Sequence, residues 1–278
     1  MIKRIALHVE KDSGCKARTL AAAGLARQFE AELVGVYVGD MPLQYFADGV
    51  TVPDNVYRML LRDYDEARRQ AQDEFLAQAR HAGVPAQWRA PEGNPADVLA
   101  VHARCTDLLV ISQAGEQLSD SVIAPHLTAS IIMTSGRPVL VVPNAGEFPR
   151  IGRRILFCWD HGREAARALA DAAPFLTRAE SVVALTLDPS SVELRRRQTV
   201  EGDLQAYFLA HGYAAPKVET RDTQGVGMGN SILNAAADHG CDLIVMGLYG
   251  HSRAREWVMG GASRTMLASM TAPVLFSH

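Results

Sequence analysis

Four glycines near the C-terminus, Gly247, Gly250, Gly260 and Gly261, stand where an anion would need bare backbone. A glycine has no Cβ, so it can take left-handed angles and let a negatively charged group come close to main-chain N–H donors. Gly260 and Gly261 open a segment with helical periodicity, Gly-Ala-Ser-Arg-Thr-Met-Leu-Ala-Ser-Met270. The start of such a helix adds unpaired N–H groups and the positive end of the helix dipole. The chemistry this pattern suggests is a clamp on a nucleotide's phosphates. Ser263, in the first turn, offers a hydroxyl. Arg253 offers a charge-assisted donor toward a β- or γ-phosphate, against the plainer reading of a solvated loop arginine.

The elements needed to hold such a clamp can be read on either side of it. Cys241-Asp-Leu-Ile-Val-Met-Gly247 is a short apolar run of the kind buried in a parallel sheet, and the amphipathic segment follows the glycines. Strand, glycine loop and helix form the arrangement that phosphate sites require. The loop is neither a Walker A sequence, which would place Gly-Lys-Ser/Thr here, nor a dinucleotide fingerprint. Its spacing is Gly-x2-Gly-x9-Gly.

That spacing resembles the ATP-binding members of the universal stress protein family, which carry Gly-x2-Gly-x9-Gly-Ser/Thr at this place; here Gly261 replaces the hydroxyl residue. The resemblance covers nearly the whole chain. It implies a site that also includes Asp160, in Cys-Trp-Asp-His-Gly162, as the acid that meets adenosine. Asp160 reads equally well as an N-cap for the helix that follows. Leu187, Met246 and Ala262 complete the expected set with Gly247, Gly250, Arg253, Gly260, Gly261 and Ser263. The implied ligand is ATP, ADP or AMP, with Mg²⁺ accompanying a triphosphate.

Composition narrows the alternatives. The chain has 278 residues, 48% of them hydrophobic and 21% charged, which is ordinary for a folded protein of two domains. A formal charge of -3 leaves no basic footprint for nucleic acid. No apolar run is long enough to span a bilayer, and the N-terminus enters a strand directly, so a cytoplasmic location is expected. Cys15, Cys105, Cys158 and Cys241 lack CxxC spacing, which argues against a zinc site or a disulfide framework.

The chain repeats itself. Cys105-Thr-Asp-Leu-Leu-Val-Ile-Ser112 parallels Gly240-Cys-Asp-Leu-Ile-Val-Met-Gly247 at an offset of 135 residues, and the same offset carries Gly115 onto Gly250 and Pro138-Val-Leu-Val onto Pro273-Val-Leu-Phe. Arg4-Ile-Ala-Leu-His-Val-Glu10 parallels Arg154-Ile-Leu-Phe-Cys-Trp-Asp160 at an offset of 150. The first copy therefore carries 15 extra residues, which the breakers between Gly39 and Asn55 locate after its second strand. Each copy predicts β and α elements in alternation. In the first, strands fall near 4–9, 32–38, 85–90, 108–112 and 139–142, with helices near 15–29, 56–82, 95–103 and 126–135. In the second, strands fall near 154–159, 181–187, 216–221, 243–247 and 274–277, with helices near 164–177, 190–211, 230–238 and 261–270. The fold class is α/β: two tandem doubly wound parallel-sheet domains, Rossmann-like and related by a pseudo-twofold, over 1–145 and 151–278. The family resemblance implies that the terminal strands of the copies pair within one chain; further self-association stays open.

The copies are unequal at the glycine positions. Gly247, Gly260 and Gly261 correspond to Ser112, Pro125 and His126, and Glu10 stands in the place of Asp160. Proline has no N–H to offer a phosphate, and a histidine side chain obstructs backbone approach. The second copy is thus the expected binder and the first a degenerate partner. No nucleophile with its base, carboxylate pair or metal cluster is visible, so slow ATP hydrolysis is the most that catalysis could amount to. The resemblance implies a regulator whose nucleotide occupancy changes its surface for a protein partner. Two other readings remain: an adenylating enzyme, for which a pyrophosphate loop after the first strand is lacking, and a carrier of a small apolar or anionic metabolite lined by Tyr45 and Phe46 of the insertion.

Overall fold

The computed structural model describes residues 1–10, 12, 14–39, 53–113, 125–188, 202–248 and 261–278. In the first copy, β1 (Arg4–Val9), α1 (Cys15–Phe29), β2 (Glu32–Tyr37), α2 (Asp54–Ala82), β3 (Ala86–Arg89), α3 (Pro95–Ala103), β4 (Leu108–Ser112), α4 (Pro125–Ser135) and β5 (Val139–Val142) follow one another. In the second come β6 (Arg154–Cys158), α5 (Arg163–Asp171), α6 (Ala173–Leu176), β7 (Ser181–Leu187), α7 (202–210), β8 (Lys217–Arg221), α8 (Met228–Asp238), β9 (Leu243–Gly247), α9 (Gly261–Ser269) and β10 (Val274–Ser277).

The ten strands form one sheet in the order β3-β2-β1-β4-β5-β10-β9-β6-β7-β8. Within each copy every pairing is parallel; β5 and β10 pair antiparallel, Leu140 opposite Leu275. The apolar ends that the sequence leaves at the close of each copy thus cover one another. The outer strands β3 (Ala-Gln-Trp-Arg) and β8 (Lys-Val-Glu-Thr-Arg) carry the polar residues that discourage further edge pairing.

Both faces of the sheet are buried, which is why strands such as Leu108–Ser112 read as continuous apolar runs. One layer packs residues of α1, α2, α5, α6 and α7 on Leu7, Val110, Phe157 and Leu275; the other packs α3, α4, α8 and α9 on Ala6, Ile111, Ile244 and Phe276. The repeated aspartate has the same task in both copies. Asp107 accepts the amides of Lys3 and Arg4 at 2.7 and 3.0 Å, and Asp242 accepts those of Gly152, Arg153 and Arg154 at 2.9 to 3.1 Å, so each pins the entry of its copy's first strand.

The helix expected over 164–177 is two. Pro174 has no N–H for the carbonyl four residues back, so the ladder stops at Asp171 and a short turn, α6, restarts at Ala173. The halves also meet outside the sheet. Phe29 stands edge-on to Phe175 with ring centres 5.3 Å apart, and Arg178 lies over Phe29 while donating to the Gln28 carbonyl at 2.6 Å. Gln113 donates to the carbonyls of Leu267 and Ala268 in the last turn of α9, at 2.9 and 3.0 Å. Most of the 39–55 insertion, with Tyr45 and Phe46, lies outside the described residues.

Candidate functional site

In a doubly wound sheet a crevice forms beyond the carboxyl ends of the strands where the order turns, here between β6 and β9. Register brings the expected residues to that edge. Cys158 pairs with Leu185, so Asp160 and Leu187 leave the sheet at one level; Phe157 pairs with Val245, so Met246 and Gly247 end beside them. Leu187 and Met246 pack on the α8/α9 side. Gly261, Ala262 and Ser263 form the first turn of α9; Gly261 is exposed, Ala262 half-buried and Ser263 buried on the same stripe as Met266 and Leu267. Gly250, Arg253 and Gly260 lie outside the described residues.

The glycines that are described differ in role. Among the described residues, nothing lies within 4 Å of where a Cβ on Gly261 would stand. A Cβ on Gly247 would lie 2.6 Å from the Glu164 carbonyl carbon and 2.8 Å from its oxygen. Gly247 is therefore glycine because the first turn of α5 passes directly over the end of β9, which explains its residue type without a phosphate.

Asp160 lies two residues before the helix cap. Its carboxylate accepts the amide of Gly162, the capping residue of α5, at 2.7 Å, and Gly162 itself makes no side-chain cap. His161, between them, takes φ 60, and its Nδ1 accepts the Trp159 indole N–H at 3.1 Å. The turn is thus pinned on both sides of Asp160, which remains half-buried at the rim. Burial, and then the charge of Asp160, pushes the nearby Cys158 thiol up to about 12, so it stays neutral.

Sequence reading passed over the other wall. Asp188, φ 39, accepts the Thr223 amide at 2.7 Å and also the Thr223 hydroxyl, and these two bonds lower its pKa. They tie the end of β7 to the loop entering α8. That loop turns on Gly225 and Gly227, φ 79 and 82, and exposes Val226 and Met228. At Gly229 a Cβ would sit 2.5 Å from Thr265 and 3.1 Å from the Ala262 carbonyl, so α8 presses on the first turn of α9. The Gly-Val-Gly-Met-Gly229 run was the available signal.

The same edge of the first copy is built differently. His8, the counterpart of Cys158, is fully buried with neither ring nitrogen hydrogen-bonded, and its Nδ1 lies 3.8 Å from Glu10. Asp12 binds Arg18 at 2.7 Å, and the Arg18 Nε donates to the His8 carbonyl at 2.9 Å. At the repeat offset the second copy has Gly162 and Ala168 in place of this ion pair. Among the described residues no group of three or more His, Cys, Asp or Glu converges as a metal site, and no helix is long and apolar enough to cross a membrane.

The model of the universal stress protein family matches residues 1–143 and again 152–278. The chain belongs to the universal stress protein family. Its two copies are tandem family domains. Solved structures agree on the fold: a universal stress protein from Archaeoglobus fulgidus, 14% identical, aligns over 99% of this chain and 97% of its own with a TM-score of 0.73. A putative universal stress protein from Pseudomonas aeruginosa, 13% identical, aligns over 99% and 93% with a TM-score of 0.64. No curated protein sequence matches.

Proposed function

We propose that this universal stress protein is a regulator that binds one adenine nucleotide, ATP or its di- or monophosphate, at the carboxyl edge of the second domain. The observation that carries the reading is the start of α9: a nine-residue helix whose first residue, Gly261, has no atom of the described residues within 4 Å of where a Cβ would stand. The N–H groups of Gly261, Ala262 and Ser263 are the first-turn donors that lack intrahelical acceptors, and they suit phosphate oxygens. Asp160 at the end of β6 suits ribose hydroxyls or the adenine amine, and Leu187 and Met246 supply apolar surface beside it. Gly250, Arg253 and Gly260 would complete the phosphate clamp. Mg²⁺ would enter on the triphosphate.

The first domain, 1–145, is proposed to be the non-binding partner of 151–278. Where a ligand's hydroxyls would need acceptors it buries its own Arg18–Asp12 pair, and it carries Pro125 and His126 at the helix start. The proposed output is a changed surface read by a protein partner, not a product. A cytoplasmic location fits four unpaired cysteines.

Isothermal titration calorimetry with ATP, ADP and AMP tests this. One nucleotide per chain is expected, and Gly261→Leu, whose Cβ meets no atom of the described residues within 4 Å, should weaken it at least about tenfold while the fold persists. Two nucleotides per chain, or equal affinity in the variant, would overturn the assignment.

A further inference from the structure

Gln113 joins the two domains at the far end of the helix that opens the proposed site. It follows β4 directly and its amide donates to the Val142 carbonyl at 2.8 Å, so its backbone belongs to the first domain. Its side chain crosses to the second: Nε2 donates to the carbonyls of Leu267 and Ala268 at 2.9 and 3.0 Å. Its Oε1 accepts the amide of Asn144, in the segment between the domains, at 3.3 Å. Two carbonyls on one side and an N–H on the other fix which end of the carboxamide is which.

Leu267 and Ala268 lie in the last turn of α9, where carbonyls have run out of helical donors. The equivalent helix of the first domain, α4, is closed by its own domain. Ser135 donates to the Ile132 carbonyl at 3.3 Å, and Arg104 to that of Thr134 at 3.4 Å. At the offset of 135 residues these donors become Met270, whose side chain has no hydrogen to donate, and His239, whose Nε2 meets Glu219 at 2.7 Å. Gln113 itself becomes Leu248, apolar and buried. The bridge therefore runs one way: the first domain closes α9, and the second has leucine where a matching carboxamide would stand.

We propose that Gln113 is a positioning residue for nucleotide binding in the second domain, coupling the first domain to α9, an inference that rests on the nucleotide reading of that site. With nine residues α9 is about 13 Å long, so the way its last turn is held is felt at its first. Close packing of α8 at Gly229 against Thr265 and the Ala262 carbonyl steadies the start of α9, and Gln113 steadies its end. A phosphate bound at the start and a carboxamide bound at the end favour the same placement of the helix, so each strengthens the other by the same factor. The degenerate domain thereby contributes to a site that it does not form.

Two variants of the full chain test this by calorimetric titration with ATP. Gln113→Leu removes both donors and the acceptor, while Gln113→Glu keeps the shape and the Asn144 contact but turns a carboxylate oxygen toward the two carbonyls; each should weaken binding at least about fivefold. A purely structural role would not respond to ligand in the parent chain, so the second readout is the Gln113 side-chain amide signal in ¹H–¹⁵N spectra. It should shift on saturation with ATP, while that of Gln87, in the outer strand β3, stays in place. Equal ATP affinity in both variants, or an unmoved Gln113 signal at saturation, would overturn the coupling and leave the nucleotide site standing. A parent chain that takes up no adenine nucleotide would remove both.

Discussion

Gly247→Ala separates packing from ligand contact at the position where sequence and structure assign different reasons for the same residue. The added methyl would lie 2.6, 2.7 and 2.8 Å from the carbonyl carbon, Cβ and oxygen of Glu164, against an ordinary contact of about 3.5 Å, so α5 must retreat by about 1 Å. Its obstacle is largely helix backbone, which cannot rotate aside. Overpacking of this kind costs about 1–3 kcal/mol. The stiffer unfolded chain returns about 0.4–1 kcal/mol. A net loss of about 1–2 kcal/mol should lower Tm by about 2–8 °C for a chain of this size, read by circular dichroism on heating and checked by urea titration. Gly261→Ala is the control: with no atom of the described residues within 4 Å of its Cβ it should match or slightly exceed the parent. The reasoning fails if Gly247→Ala is as stable as the parent, and loss of ATP affinity without loss of stability would return Gly247 to phosphate contact.

Removing Arg18 alone, as in Arg18→Leu, strands the buried Asp12 carboxylate and should cost about 3–5 kcal/mol in urea titration, with much of it recovered by adding Asp12→Asn. His8 is held well below its usual 6.5 by burial and then by the charge of Arg18. The unfolded chain therefore takes the proton first, so this contribution to stability is full above pH 6.5 and falls on acidification below it; His8→Asn should flatten that fall below pH 6.5. Glu219 behaves with the opposite charge type: its burial would raise the pKa, but hydrogen bonds from Arg221 and His239 outweigh this and bring it down from 4.5 to about 2. Its contribution is present above pH 4.5 and lost as pH falls through about 2, so Glu219→Gln should remove that part of the acid limb in a urea-midpoint series.

Much of this architecture could be read from the chain because local signals agree with the packing. Asn94-Pro95 opens α3, with the Asn94 side chain accepting the Ala96 amide at 3.0 Å, and the strands are apolar because both faces are covered. The repeat of Asp107 in Asp242 revealed the duplication, although what the residue does, gathering amides more than 80 positions away, appears only in three dimensions. Pro174 was a visible break that helical periodicity on both sides outweighed. At the site, Asp160, Leu187, Met246 and the first turn of α9 were within reach because strand ends and glycines mark the edge of such a sheet. Three features were not. The reason for Gly247 lies in another helix, the Asp188–Thr223 link joins distant loops, and Arg18 looks like a solvated helix residue until Asp12 closes on it.

The antiparallel seam between β5 and β10 turns the two domains head to tail. Strands of the first run against those of the second, so their carboxyl ends point to opposite margins of the sheet. A molecule held at one margin would never touch the other. A partner protein reading one margin would approach from the side that hides the other.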